Sequence, residues 1–113
     1  MGKPPAQTGF ADKTLVRSGR FVADVLKYVN EDTAAPNAGT RYCQVFDAAS
    51  TAAVTLGTTI PLRVLVAPSK GSDEQFWLSG LVLSNGMVVA STTTATGNTL
   101  ATTGTAHVFV GVN

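Results

Sequence analysis

The stretch RSGRFVADVLKYVNE, Arg17 to Glu31, decides the fold, because its apolar residues satisfy both secondary-structure periods. Phe21, Val22, Val25, Leu26 and Val29 fall at helical spacing, and Arg17, Arg20, Asp24 and Lys27 mark the opposite face, the pattern of an amphipathic helix of about three turns. Phe, Val and Tyr are also strand formers. The same residues alternate if Phe21, Ala23 and Val25 face one way and Val22, Asp24, Leu26 and Tyr28 the other. Periodicity by itself leaves both readings open.

The flanking chain is less ambiguous. RYCQVFD sets Tyr42, Gln44 and Phe46 against Cys43, Val45 and Asp47, and TTIPLRVLVAP alternates Ile60, Leu62, Val64 and Val66. QFWLSGLVLS and GMVVASTTT follow, and TAHVFVGVN alternates Ala106, Val108, Val110 and Val112. Turn-forming stretches separate these segments: EDTAAPNAGT, DAASTAAVTLG, PSKGSDE, SNG and TATGNT. Ser84-Asn85-Gly86 predicts a hairpin, since Asn-Gly takes the positive φ of a type I′ turn readily. Pro61 suits an edge strand or the head of a strand, where its missing N–H is not needed.

With 113 residues the chain is one domain. Hydrophobic residues make up 44% and charged residues only 13%, a balance that disordered chains do not have. A net charge of +1, with Lys13, Arg63 and Lys70 scattered, offers no basic patch for nucleic acid or an anionic membrane. MGKPPAQTGF lacks the apolar run of a signal peptide, and no stretch of about 18 apolar residues predicts a membrane span. A single cysteine excludes an internal disulfide. Every formal charge lies at or before Glu74, so the segment from Gln75 to Asn113 has only His107 as an ionisable group. Sheets usually guard their edges with Lys and Glu. This third is therefore either buried within its own domain, buried against another subunit, or coated with threonine, as in STTTATGNTLATTGT.

The succession LKYVNEDTAAPNAGTRYCQVFDAASTAAVTLGTTIPLRVLVAPSKG, then GLVLSNGMVVASTTTATG and a closing HVFVGVN, resembles a group of small all-β virion proteins of tailed bacteriophages, over roughly residues 17 to 113. The order and spacing of the elements carry the resemblance. The longer EDTAAPNAGT loop and the charged SKGSDEQ turn depart from it. It implies that residues 20 to 29 are a strand, in an all-β, single antiparallel β-sandwich of jelly-roll-like type with about 7 to 8 strands. Residues 1–14, with Pro4, Pro5 and Gly9, are expected to form an extended N-terminal arm that crosses to a neighbouring subunit, and 15–113 the sandwich.

Cys43, His107 and Asp47 are the parts of a thiol hydrolase. On a strand, however, Cys43 points where Val45 points, towards the core, and no strand-to-helix elbow surrounds it to activate a thiolate. His107 shares the outward side of its strand with Phe109, and Asp47 is expected to cap the backbone of the turn that follows it. Asp73 with Glu74, and Glu31 with Asp32, lack calcium-loop spacing, and no phosphate-binding glycine loop occurs. The sequence therefore predicts no catalytic residues, no cofactor and no metal. Trp77 beside Phe76 is either a stacking platform for a sugar ring or a core residue. The resulting expectation is a non-enzymatic virion subunit, a capsid decoration or cement protein. It would assemble with itself as a trimer or larger ring and with other virion proteins such as the major capsid protein, in the host bacterial cytoplasm. The alternative is a receptor- or glycan-binding tail or fibre module using Trp77 and the Thr-rich loops.

Overall fold

Phe21–Asn30 is a strand, and a bulge inside it explains its double periodicity. The computed structural model describes residues 3–10, 12–31, 39–101 and 106–112, with residues 3–9 described by their backbone alone. Its strands are β1 (Lys3–Phe10), β2 (Thr14–Ser18), β3 (Phe21–Asn30), β4 (Arg41–Asp47), β5 (Arg63–Ala67), β6 (Gly71–Leu83), β7 (Gly86–Thr92) and β8 (Ala106–Val112), with a single 3-10 turn at Thr51–Ala53. In β3 the register against both neighbours shifts between Ala23 and Val25: against β8 Asp24 is the extra residue, and against β6 it stands opposite the four residues Trp77 to Gly80. Phe21 and Ala23 point inward before the shift, and Leu26, Tyr28 and Asn30 after it. Alternation with one slipped phase places apolar residues at near-helical intervals. The bulge is seated on Gly111 of β8, where a Cβ would run into the side chains of Val25 and Asp24.

All ladders are antiparallel, and the pairs β1–β8, β2–β7, β3–β6 and β4–β5 fold one long ribbon back on itself. Wrapping that ribbon gives two four-stranded sheets, β1-β8-β3-β6 (sheet A) and β2-β7-β4-β5 (sheet B). This is the jelly-roll topology, and the protein is an all-β sandwich. The core lies between the sheets. Phe21, Ala23, Leu26, Tyr28, Leu81, Leu83, Val108 and Val110 of sheet A meet Cys43, Val45, Leu65, Met87 and Val89 of sheet B. Buried polar contacts also span the layers, among them Tyr28 Oη to Ser91 Oγ at 2.7 Å. Asn30 Nδ2 donates to the carbonyls of Ala67 and Gly39, tying the end of β3 to β5.

Three expectations change. Ser84-Asn85-Gly86 joins β6 of sheet A to β7 of sheet B, so it is a crossing between layers and not a hairpin within one ladder. Among the described residues Lys70 is the non-glycine residue with positive φ, so Asn85 does not adopt type I′ geometry. Gly86 takes the strained position, φ +146°, where a Cβ would meet the carbonyl oxygens of Ala48 and Arg17. The second change concerns the arm. Its described part, Lys3–Phe10, is extended but pairs with β8 of its own chain, and Phe10 is buried 6.2 Å from the Tyr28 ring. The physical reason is that β8 has two edges, and without β1 one row of its N–H and C=O groups would lack partners. The third concerns TTIPLRVLVAP, expected as one alternating segment: the strand begins at Arg63, so Ile60 and Leu62 lie before it, and Leu65 and Ala67 hold the inward positions of β5. Asp32 and most of the EDTAAPNAGT loop fall outside the described residues.

Candidate interaction surface

The two sheets differ in what covers their outer sides. On sheet B, the outward residues Phe46 and Val88 are packed under Ala48, Val54 and Leu56 from the segment that follows β4. Beside them a loop closed by Thr93 N donating to the Thr99 carbonyl folds over β4 and β7. Gln44 Nε2 donates to Thr92 Oγ1 at 2.9 Å and to the Gly97 carbonyl at 3.0 Å, fastening that loop. Thr92 Oγ1 in turn donates to the Thr94 carbonyl. Lys13 Nζ donates to the Val54 carbonyl from the opposite side. Every residue of β7 is buried as a result.

Sheet A has no such cover over its described outer side. Register places Ser72, Val29 and His107 in one row across β6, β3 and β8, then Glu74, Lys27 and Phe109, then Phe76, Val25 and Gly111. Phe76 is 68% exposed. Beyond it, Trp77 to Gly80 have no ladder partner on β3, and this outward bulge holds Leu78 fully exposed at 106%. Gly80 permits the bulge, with φ +81° and the space of a Cβ already taken by Val22. A hollow of about 160 Å³ opens between Val25, Lys27, Glu74 and Phe109. Next to it a recess of about 350 Å³ is lined by Asp24, Val25, Phe76, Trp77 and Leu78. The surface is apolar, with the formal charges of Lys27, Glu74 and Asp24 set into it.

The three residues that suggested a hydrolase are not brought together. Cys43 is buried in the core on the inner side of sheet B, and burial pushes its thiol pKa well above the ordinary value. His107 lies on sheet A and faces away from that core, next in sequence to the inward Val108. Asp47 stands at the end of β4, where its carboxylate accepts from the backbone N–H of Asn85 at 2.8 Å and of Ser84 at 3.0 Å. Partial burial raises its pKa slightly, and these backbone donors, with Gly86, outweigh that and hold it below the usual value. It caps a turn, as expected, but the turn is the β6–β7 crossing and not the one that follows it. Asp73 and Glu74 part company: Asp73 Oδ2 accepts from Val66 N at 3.0 Å, covering the open edge of β5, while Glu74 lies on the outer face. Glu31 pairs with Lys70 at 3.9 Å.

Trp77 is half-buried and packs against the core, so of the two neighbouring aromatics Phe76 is the outward one. The sequence reading missed Leu78. Its signal is the run Phe76-Trp77-Leu78, because three consecutive large apolar residues in a strand cannot all face one side. No family model matches this chain, and neither a curated protein nor a solved structure matches it.

Proposed function

We propose that the chain is a non-enzymatic structural component of a bacteriophage virion, a capsid decoration or cement protein that packs against copies of itself and against other virion proteins such as the major capsid protein. The observation that carries this reading is the bare apolar side of sheet A, on a domain whose other side is covered by its own loops. Apolar surface left open on a small domain marks a place of contact. The order and spacing of elements resembling small phage virion proteins support the setting. The jelly roll agrees by fold-level analogy, being common in capsid and lectin domains alike. Many identical copies on a particle make weak single contacts sufficient. The recess beside Phe76 and Trp77, with Asp24 at its margin, favours a second reading, a module for host-surface glycans.

Native mass spectrometry and co-sedimentation with phage particles test this. A homo-oligomer that also sediments with particles is the expected result. A monomer that ignores particles and whose tryptophan fluorescence shifts on adding host polysaccharide would favour the glycan module.

A further inference from the structure

We propose that the outer face of sheet A is where two copies of this chain meet, related by a two-fold axis that runs between β3 and β6. The proposal rests on the reading that the chain assembles with itself, and it gives that assembly a surface and a symmetry. It replaces the ring expected from sequence with an isologous pair as the basic contact.

Shape is the first reason. The face is raised on its β6 side, where Phe76 and the bulge-borne Leu78 stand out, and recessed on its β3–β8 side, where Gly111 contributes no side chain and the hollow between Val25, Lys27, Glu74 and Phe109 lies. A two-fold axis lying between β3 and β6 and parallel to them lays β6 of each copy over β3 of the other, so that Phe76 meets Val25 and the hollow beside it. The hollow, about 160 Å³, is close to the volume of about 150 Å³ that accepts a benzene-sized group. A leucine or phenylalanine side chain fits that description.

Charge is the second reason. Lys27 and Glu74 are cross-strand partners, one on each side of the proposed axis. The axis therefore sets Lys27 of each copy against Glu74 of the other. A partner of uniform charge would repel one of the two, whereas the face is complementary to itself. Area sets the strength. With the axis between β3 and β6 these two strands of each copy overlap, and two strands about 4.8 Å apart over ten residues at about 3.3 Å each give a flat contact on the order of 300 Å². That is below the roughly 800 Å² per partner of a standard interface and belongs to a weak, transient pair. The pair should thus be concentration-dependent, with dissociation in the micromolar range.

Analytical ultracentrifugation of the full chain from about 1 to 200 µM, with circular dichroism as the fold control, tests it. The wild type is expected to pass from monomer to dimer over this range. Leu78→Asp should weaken association at least tenfold, while Ile60→Asp, also exposed but in the connector before β5 and not on sheet A, should leave it unchanged. Lys27→Glu and Glu74→Lys should each weaken it. Mixing those two variants should restore it, because every contact across the axis in the mixed pair becomes attractive. A fault confined to one chain would not be repaired by mixing. If the wild type is oligomeric but Leu78→Asp, Lys27→Glu and Glu74→Lys all associate normally, the face is wrong and the assembly reading survives. A wild type monomeric throughout the range overturns both. Polysaccharide binding by a monomer, lost in Leu78→Asp, overturns the pair in favour of glycan contact.

Discussion

The outer sides of the two sheets are built from similar residues and end in opposite states. Sheet B presents Gln44, Phe46, Val88, Ala90 and Thr92 outward, and the chain buries all of them. Sheet A presents Val22, Val25, Lys27, Val29, Phe76 and Phe109, and leaves them half-buried or exposed. The difference lies in the connections. The long segments after β4 and after β7 fold back over sheet B, whereas β2 to β3 and β6 to β7 are joined by the short links Gly19-Arg20 and Ser84-Asn85. Strand composition alone therefore does not say which surface is interior. The segments folded over it decide it.

The largest test of this contrast places a carboxylate on each side. Val88→Asp, at a fully buried position on the outside of sheet B, strands a charge under Ala48, Val54 and Leu56. Its cost of several kcal/mol matches the whole stability of a typical small domain, so unfolding by circular dichroism is expected at ambient temperature. Leu78→Asp on sheet A should change stability by no more than about 0.5 kcal/mol, since nothing in the fold covers that side chain. Equal losses at the two sites would erase the distinction.

Next in size is the attachment of β1 to sheet A. Phe10→Ala should lower unfolding free energy by about 3 to 4 kcal/mol in urea titration, because the ring is buried against Tyr28. A loss below about 1 kcal/mol would mean that β1 is not part of the domain and that the arm is free to pair elsewhere.

The smallest effect belongs to the turn between the sheets. The folded-state pKa of Asp47 is depressed, so its contribution is present above the unfolded pKa of about 3.9 and is lost as pH falls through the folded value. Asp47→Asn should therefore cost about 0.5 kcal/mol at pH 7, the carboxylate being largely solvated, and nothing at pH 2. Thermal melts at both values would show it. A penalty that persists at pH 2 would point to shape and not to charge.

These tests also indicate where sequence reading succeeds. The inward set Cys43 and Val45, the run Ala106, Val108, Val110 and Val112, and the outward His107 follow from strict alternation, and the structure places them accordingly. β3 defeats the pattern because the bulge at Asp24 shifts its phase, and a bulge leaves no mark in local composition. Asn85-Gly86 misleads because turn chemistry reports a reversal of direction without saying whether the next strand returns to the same sheet. The bare face was legible only in part: the loss of charge after Glu74 marks an unguarded region, yet β7 within it is covered while the outer side of β3, outside it, is left half-buried. Which apolar strand faces solvent depends on distant connectors, and no window on the sequence contains that.

The ribbon pairing also sets an order of events during synthesis. β8 lies between β1 and β3, so sheet A has a vacant place at its centre until β8, made after the other seven strands, has left the ribosome. Sheet B can begin earlier, since β4 and β5 are separated only by the Ala48–Leu62 connector. Such non-local closure belongs to the millisecond-to-second range of folding, and in that interval β1 and β3 offer open edges to any nearby extended chain. A strand arriving in trans before β8 arrives in cis would occupy the same gap. Where many copies are translated at once, the window before β8 inserts is when this protein is most prone to misassembly.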